Sequence, residues 1–180
     1  MLGTWVCQRI QSDTYTMQLL REVECLNLPS AWVAAGAIRQ LIWDECHHYS
    51  ERTPLNDVDV VYFDPTSSEM TDVHVESYLR KRNSSINWQV KNQARMYIKN
   101  GHMSYKNVGE AMSYWPETAT AVAAQRDEWG SVQLLAPYGV SDLVQLLLRQ
   151  SSKCKDATLF MNRIKKKKWL ERWPQLRIVK

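Results

Sequence analysis

None of the four cysteines, Cys7, Cys25, Cys46 and Cys154, lies in a CxxC pair. That absence argues against a zinc ribbon or a dithiol redox motif, and free thiols in a reducing cytoplasm are the plain reading. His47 and His48 follow Cys46, but no second ligand cluster completes a metal site. No apolar stretch approaches the roughly 20 residues of a membrane-spanning helix. The first residues also lack the apolar core of a secretory signal, so neither a membrane nor export is expected. Internal repeats and low-complexity linkers are absent as well. Phenylalanine is scarce at 2 residues, whereas tryptophan reaches 8, and buried indoles need partners for their N–H groups.

What remains is ordinary for a globular chain. The 180 residues are 44% hydrophobic and 23% charged, which suits a single domain over residues 1–180. The net charge of +4 permits an anionic ligand without requiring nucleic acid. Much of that excess lies in Lys165, Lys166, Lys167 and Lys168. Such a run is either the solvated face of a helix or a phosphate-contacting patch through which RNA could bind.

Hydrophobic spacing gives a coarse map. Asp13 caps an amphipathic helix from about Thr14 to Leu26, and Leu28-Pro29 ends it. Trp32 to Ala35 reads as a short buried strand, and Ala37 to His48 as a helix after Gly36. A strand from Asp57 to about Phe63 is followed by a helix opened by Thr71-Asp72. Trp88 to Gln93 is a second such strand, with Trp88, Val90 and Asn92 on one face, and a short helix follows it. Helices are expected around Gly109–Tyr114 and Glu117–Ala124, then a strand from Ser131 to Ala136. A helix capped by Ser141 through Leu148 and another from Ala157 to Arg172 make the portion from about residue 140 helical. The imperfect alternation points to an α/β (α+β) fold, a mixed sheet flanked by helices.

Chemistry concentrates at Asp57-Val58-Asp59-Val60-Val61. Residues two apart on a strand share a face, so Asp57 and Asp59 project side by side. Like charges so placed each resist ionisation, and a hard divalent cation removes the conflict. Such a pair is what metal-assisted phosphoryl transfer requires, although D-x-D alone also suits two solvated residues at a strand end. Upstream, Ala35-Gly36-Ala37-Ile38-Arg39 sits at a strand-to-helix junction. Backbone N–H groups there favour a phosphate, and the planar fork of Arg39 can reach an anion. Downstream, Gln89-Val90-Lys91-Asn92-Gln93 is a polar strand able to face the same site.

This order resembles the nucleotidyltransferase superfamily of DNA polymerase β-like enzymes, with Gly36 at the turn and Asp57-Val58-Asp59 on the strand. The chain is more similar still to a bacterial nucleotidyltransferase-like family that looks like the head domain of CCA-adding enzymes. Trp32 to Arg39, Thr53 to Asp64, Trp88 to Met96, Trp115 to Ala121, Ala136 to Leu143 and Lys168 to Pro174 carry that likeness. The resemblance implies a nucleoside triphosphate donor and Mg²⁺, with Mn²⁺ as the alternative, held by Asp57 and Asp59. It implies that Gly36 and Ala37 admit the phosphates, that Arg39 pairs with one, and that Lys91 and Asn92 face the nucleotide.

The chain also departs from the pattern. Ala37 stands for the usual Gly or Ser, and Gln40 where CCA-adding heads often carry Asp. On this reading Asn92 occupies the place of a third carboxylate, and a neutral amide cannot act as a base. Three readings therefore stand: a metal-dependent transferase with an unidentified acceptor, a non-catalytic nucleotide-binding module, and an RNA-binding protein.

Overall fold

A computed structural model describes residues 1–179. Two helices in contact, α1 (Leu2–Ser12) and α2 (Thr14–Glu24), open the chain. Strand β1 (Trp32–Ala34) then runs into α3 (Gly36–Cys46), and β2 (Val58–Tyr62) into α4 (Glu69–Arg82). β3 (Trp88–Asn92) leads to α5 (Gln93–Asn100) and α6 (Val108–Met112). A 3-10 turn at Thr118–Thr120 precedes β4 (Ala123–Arg126) and β5 (Val132–Leu135). The chain closes with α7 (Ser141–Val144), β6 (Leu147–Arg149), α8 (Ala157–Lys166), α9 (Trp169–Arg172) and β7 (Arg177–Val179).

Five strands form one mixed sheet in the order β3-β2-β1-β4-β5, and β6 pairs with β7 in a second sheet. Only β2 and β3 are parallel within the large sheet, as their crossover through α4 allows. Strand alternation gives the sheet two faces. One carries Val33, Val58, Val60, Tyr62, Trp88 and Val90 into the main core, where α1, α2 and α3 add Ile10, Leu20 and Trp43. The other packs Ala34, Val61 and Ala123 against Val108 and Met112 of α6. Phe160, Ile164, Trp169 and Trp173 from the C-terminal portion join the main core, so the tail is built into the domain. No helix among the described residues is long and apolar enough to cross a membrane.

Three expected helices are corrected. Residues 117–124 form the 3-10 turn and the start of β4, which pairs with β1 through Val33↔Ala124 and Ala34↔Ala123. Alanines there favour a helix in isolation, but their small side chains also let a strand lie against β1, and tertiary pairing decides. The stretch after Ser141 is helical only to Val144. Leu146 then turns with φ of 58° and the chain continues as β6. The last helix breaks at Lys168, whose φ is 53°, separating α8 from α9. The portion from residue 140 thus carries two strands beside its helices. Helix α1 had no expectation against it.

Asp13 caps α2 as its position requires. Its carboxylate accepts from Thr16 N at 2.6 Å and pairs with Arg52. Burial works to raise its pKa, but the Thr16 hydrogen bonds and the Arg52 charge outweigh it and hold the carboxyl below its usual value. A lowered folded pKa contributes stability that is present above the unfolded value and is lost as pH falls through the folded one. Asp13→Ala should therefore cost about 1–2 kcal/mol at neutral pH. The gap between urea titrations of wild type and variant should close as pH falls through and below the folded-state pKa of Asp13. An undiminished gap there would contradict the role of the charge.

Candidate metal and nucleotide site

The site is assembled at the ends of β1 and β2. Ala34 pairs with Asp59 in the antiparallel β1–β2 register, so the strand-to-helix turn lies beside the acidic pair. At that turn Ala35 has φ of 50° and ψ of −109°, while its N–H donates to Val122 O at 2.9 Å. This conformation is normally left to glycine and stores strain. The glycine-demanding position is therefore Ala35. A Cβ on Gly36 would meet Arg39 Nη2 and Leu55 Cδ2 at an ordinary 3.8 Å. No side chain caps the first turn of α3, so its N-terminal backbone N–H groups keep their anion-binding capacity.

Asp59 lies on the face opposite the main core, and Asp57 directly precedes the strand. Burial first, and then the charge of Asp57, push the Asp59 carboxyl up to about 6, against the opposing pull of Arg39, Lys167 and Arg163. A carboxylate so placed beside a second one fits a divalent cation, which would supply the charge that the protein provides only in part. Asp57 and Asp59 are two protein donors only: among the described residues no group of three or more His, Cys, Asp and Glu gathers into a metal cluster.

The register defines what faces the pair from β3. Asp59 is opposite Gln89, and Val61 is opposite Lys91. Gln89 Nε2 comes within 3.5 Å of Asp57 Oδ2, and the exposed Lys91 lines the cleft. Asn92 alternates onto the other face, which corrects the expectation that it faces the acidic pair. It is 1% exposed, and its amide donates to Asp64 O and Ser67 Oγ while accepting from Asp64 N and Ala94 N. It caps α5 and fastens the turn after β2. Arg95 likewise turns away, donating to Ser67 O and pairing with Asp72 at 2.8 Å.

Arg39 is buried and is not among the residues that line the cleft. It is 6% exposed, its guanidinium stands 5.1 Å from the Trp43 ring centre and 4.9 Å from that of Trp169, and its Nε has no partner among the described residues. Burial lowers its pKa to about 10 despite nearby Glu117, and the group stays charged at neutral pH. The side chain of Ala37 belongs to the main core. From this turn it is Ala35 that lines the cleft, a space of about 250 Å³ shared with Asp59, Lys91 and Arg163.

The structure brings in two residues that sequence reasoning underweighted. Glu117 is wholly buried, and its carboxylate accepts from Arg163 Nε at 2.7 Å and from Thr120 Oγ1 at 2.7 Å. Its position inside the apolar run from Trp115 to Ala124 was the signal of burial; the identity of its partner, 46 residues away, was not. Lys165, Lys166, Lys167 and Lys168 are all exposed.

The mixed sheet flanked by helices is that of a nucleotidyltransferase fold. The chain belongs to the nucleotidyltransferase family, whose profile matches residues 21–178. It is 30% identical, with a TM-score of 0.85, to a protein whose NMR structure reveals a CCA-adding enzyme head domain, covering 97% of this chain and 94% of that one. The Thermotoga maritima CCA-adding enzyme complexed with tRNA is similar at TM-score 0.62 and 13% identity, covering 97% of this chain and 42% of that one. A CCA-adding enzyme in complex with CTP gives 0.59 at 14% identity, covering 99% of this chain and 43% of that one. Those two likenesses show the fold, and the chain spans about two fifths of each. No curated protein matches the sequence.

Proposed function

We propose that the protein is a divalent-metal-dependent nucleotidyltransferase that moves a nucleoside monophosphate from a nucleoside triphosphate to an acceptor hydroxyl. The observation that carries this reading is the carboxylate pair of Asp57 and Asp59 beside the uncapped start of α3. Mg²⁺, with Mn²⁺ as the alternative, would neutralise charge on the triphosphate while held by those two residues. Lys91 lines the same cleft and offsets phosphate charge, Arg163 beside it is already paired with Glu117, and the buried Arg39 adds a positive charge that acts on Asp59. The steric freedom at Gly36 is not needed by the fold itself, which suits a backbone kept bare for the β- and γ-phosphates. The acceptor hydroxyl oxygen bonds to the α-phosphorus and yields its proton to solvent, the bond from the α-phosphorus to the bridging oxygen breaks, and pyrophosphate leaves with that electron pair.

The acceptor is open. RNA is one candidate, because a structural neighbour is a complex with tRNA and Lys165–Lys168 form an exposed basic edge. The four free cysteines suit a reducing, cytoplasmic setting. A non-catalytic nucleotide binder is the second reading. It is favoured by Gln89 and Lys91, which occupy the β3 positions facing the pair where a third acid would sit.

Thermal shift with the four ribonucleoside triphosphates tests the first reading. Wild type should gain stability only with nucleotide and Mg²⁺ together. At a ligand concentration about 100 times Kd, the gain is about 2.7 kcal/mol. Asp57→Asn should lose most of it. A gain that survives Asp57→Asn unchanged would sink the reading. Binding without pyrophosphate release for any acceptor tried would favour the second.

A further inference from the structure

The cleft at Asp59 does not end there. It opens into a larger space of about 730 Å³, well within the size of small-molecule sites. Met96, Asn100, Trp115 and Pro116 line both spaces and so mark their boundary. Met96 and Asn100 come from α5, one helical turn apart, and Trp115 and Pro116 from the segment after α6. Along this opening the chemistry changes. Its inner end holds Asp59 with the cationic Lys91 and Arg163; its boundary is aromatic, thioether and amide.

We infer that the base of the donor nucleotide binds at this boundary, stacked on Trp115 and edged by Asn100. The inference rests on the nucleotidyl-transfer reading of the inner cleft and adds to it the recognition of the base within this chain. Trp115 suits the role because it packs on the small core of Ala34, Val61 and Met112 while keeping part of its ring uncovered. An indole held this way presents a π-face at little entropic cost, and any base can stack on it. The exposed Asn100 amide gives one N–H to Tyr105 Oη at a long 3.4 Å and keeps a second donor and its carbonyl acceptor, the pairing a base edge presents. Met96 is an adaptable thioether contact. A second phosphate site fits the outer space less well, because Asp156 lines it beside Lys153 and Lys155, whose ammonium groups are engaged by Ser113 Oγ at 2.8 Å and Ser152 O at 3.1 Å.

Binding of ATP, CTP and inorganic tripolyphosphate, each with Mg²⁺, separates the base site from the phosphate site. Trp115→Ala should weaken both nucleotides about ten- to a hundredfold while tripolyphosphate binds within about twofold of wild type. Trp115→Phe should recover most of the loss. Asn100→Ala, at an exposed position, keeps the test independent of folding and should weaken the nucleotides alone, by several-fold. Equal loss of tripolyphosphate and nucleotide, or unchanged nucleotide binding in Trp115→Ala and Asn100→Ala, would overturn the base site while leaving nucleotidyl transfer standing. Wild type that binds neither nucleotide nor tripolyphosphate would overturn both.

Discussion

Asp59→Asn should stabilise the metal-free protein and disable it. Asp59 is ionised at neutral pH in a setting that resists ionisation, through burial and through the charge of Asp57. Asparagine keeps the shape and removes the charge, so the folded state should gain about 2 kcal/mol, roughly 4–8 °C in melting temperature. Under the proposed function the same change should reduce nucleotidyl transfer about a hundred- to a thousandfold, because one of two carboxylates that hold the metal is gone. Mg²⁺ with nucleotide should raise the melting temperature of wild type and leave that of the variant nearly still. Melting curves with and without Mg²⁺ check the stability arm, and pyrophosphate release checks the other. A variant less stable than wild type without metal would mean that Asp59 serves the fold rather than a cation.

Asp44→Ala is expected to be the most damaging single change away from the site. Asp44 is 6% exposed and accepts three hydrogen bonds: from Thr53 N at 2.8 Å, Thr53 Oγ1 at 2.7 Å and Trp173 Nε1 at 2.7 Å. Trp173 is itself wholly buried and packs edge-on to Trp43 with ring centres 5.1 Å apart. Alanine would leave these donors without a partner at about 1–3 kcal/mol each, so a loss of about 3–5 kcal/mol is expected. That is a large part of the roughly 5–15 kcal/mol of a typical domain. The midpoint of guanidinium unfolding measures it, and Asp44→Asn should recover part of the loss. A loss under about 1 kcal/mol would mean that the tail is not anchored to α3 in solution. The consequence reaches the site, since Thr53 lies in the connection from α3 to β2 that delivers Asp57.

Local pattern made much of the frame legible. Period-2 burial fitted β3, while β2 is buried on both faces beyond Asp59; Asp13 marked the start of α2, and the Asp57-x-Asp59 spacing set two carboxylates close together before the middle of β2. Where local and long-range preferences disagreed, sequence reading failed. The alanines before β4 favour a helix until β1 offers a partner edge, and the Lys168 break depends on where Trp169 and Trp173 are buried. Asn92 is instructive. Its position in the polar strand made it a candidate for the site, but its alternation with Lys91 sends it to the other face, where four hydrogen bonds hold it.

The sequence by itself determined the class of fold, the acidic pair and the turn beside it, because these rest on spacings within a few residues. Tertiary structure alone decided which residues surround that pair. It buried Arg39 between Trp43 and Trp169, joined Glu117 to Arg163, and set Trp115 and Asn100 at the mouth of the cleft. The physical reason is separation along the chain. Contacts between residues dozens to more than a hundred positions apart depend on how the sheet and helices pack, and no local period records them.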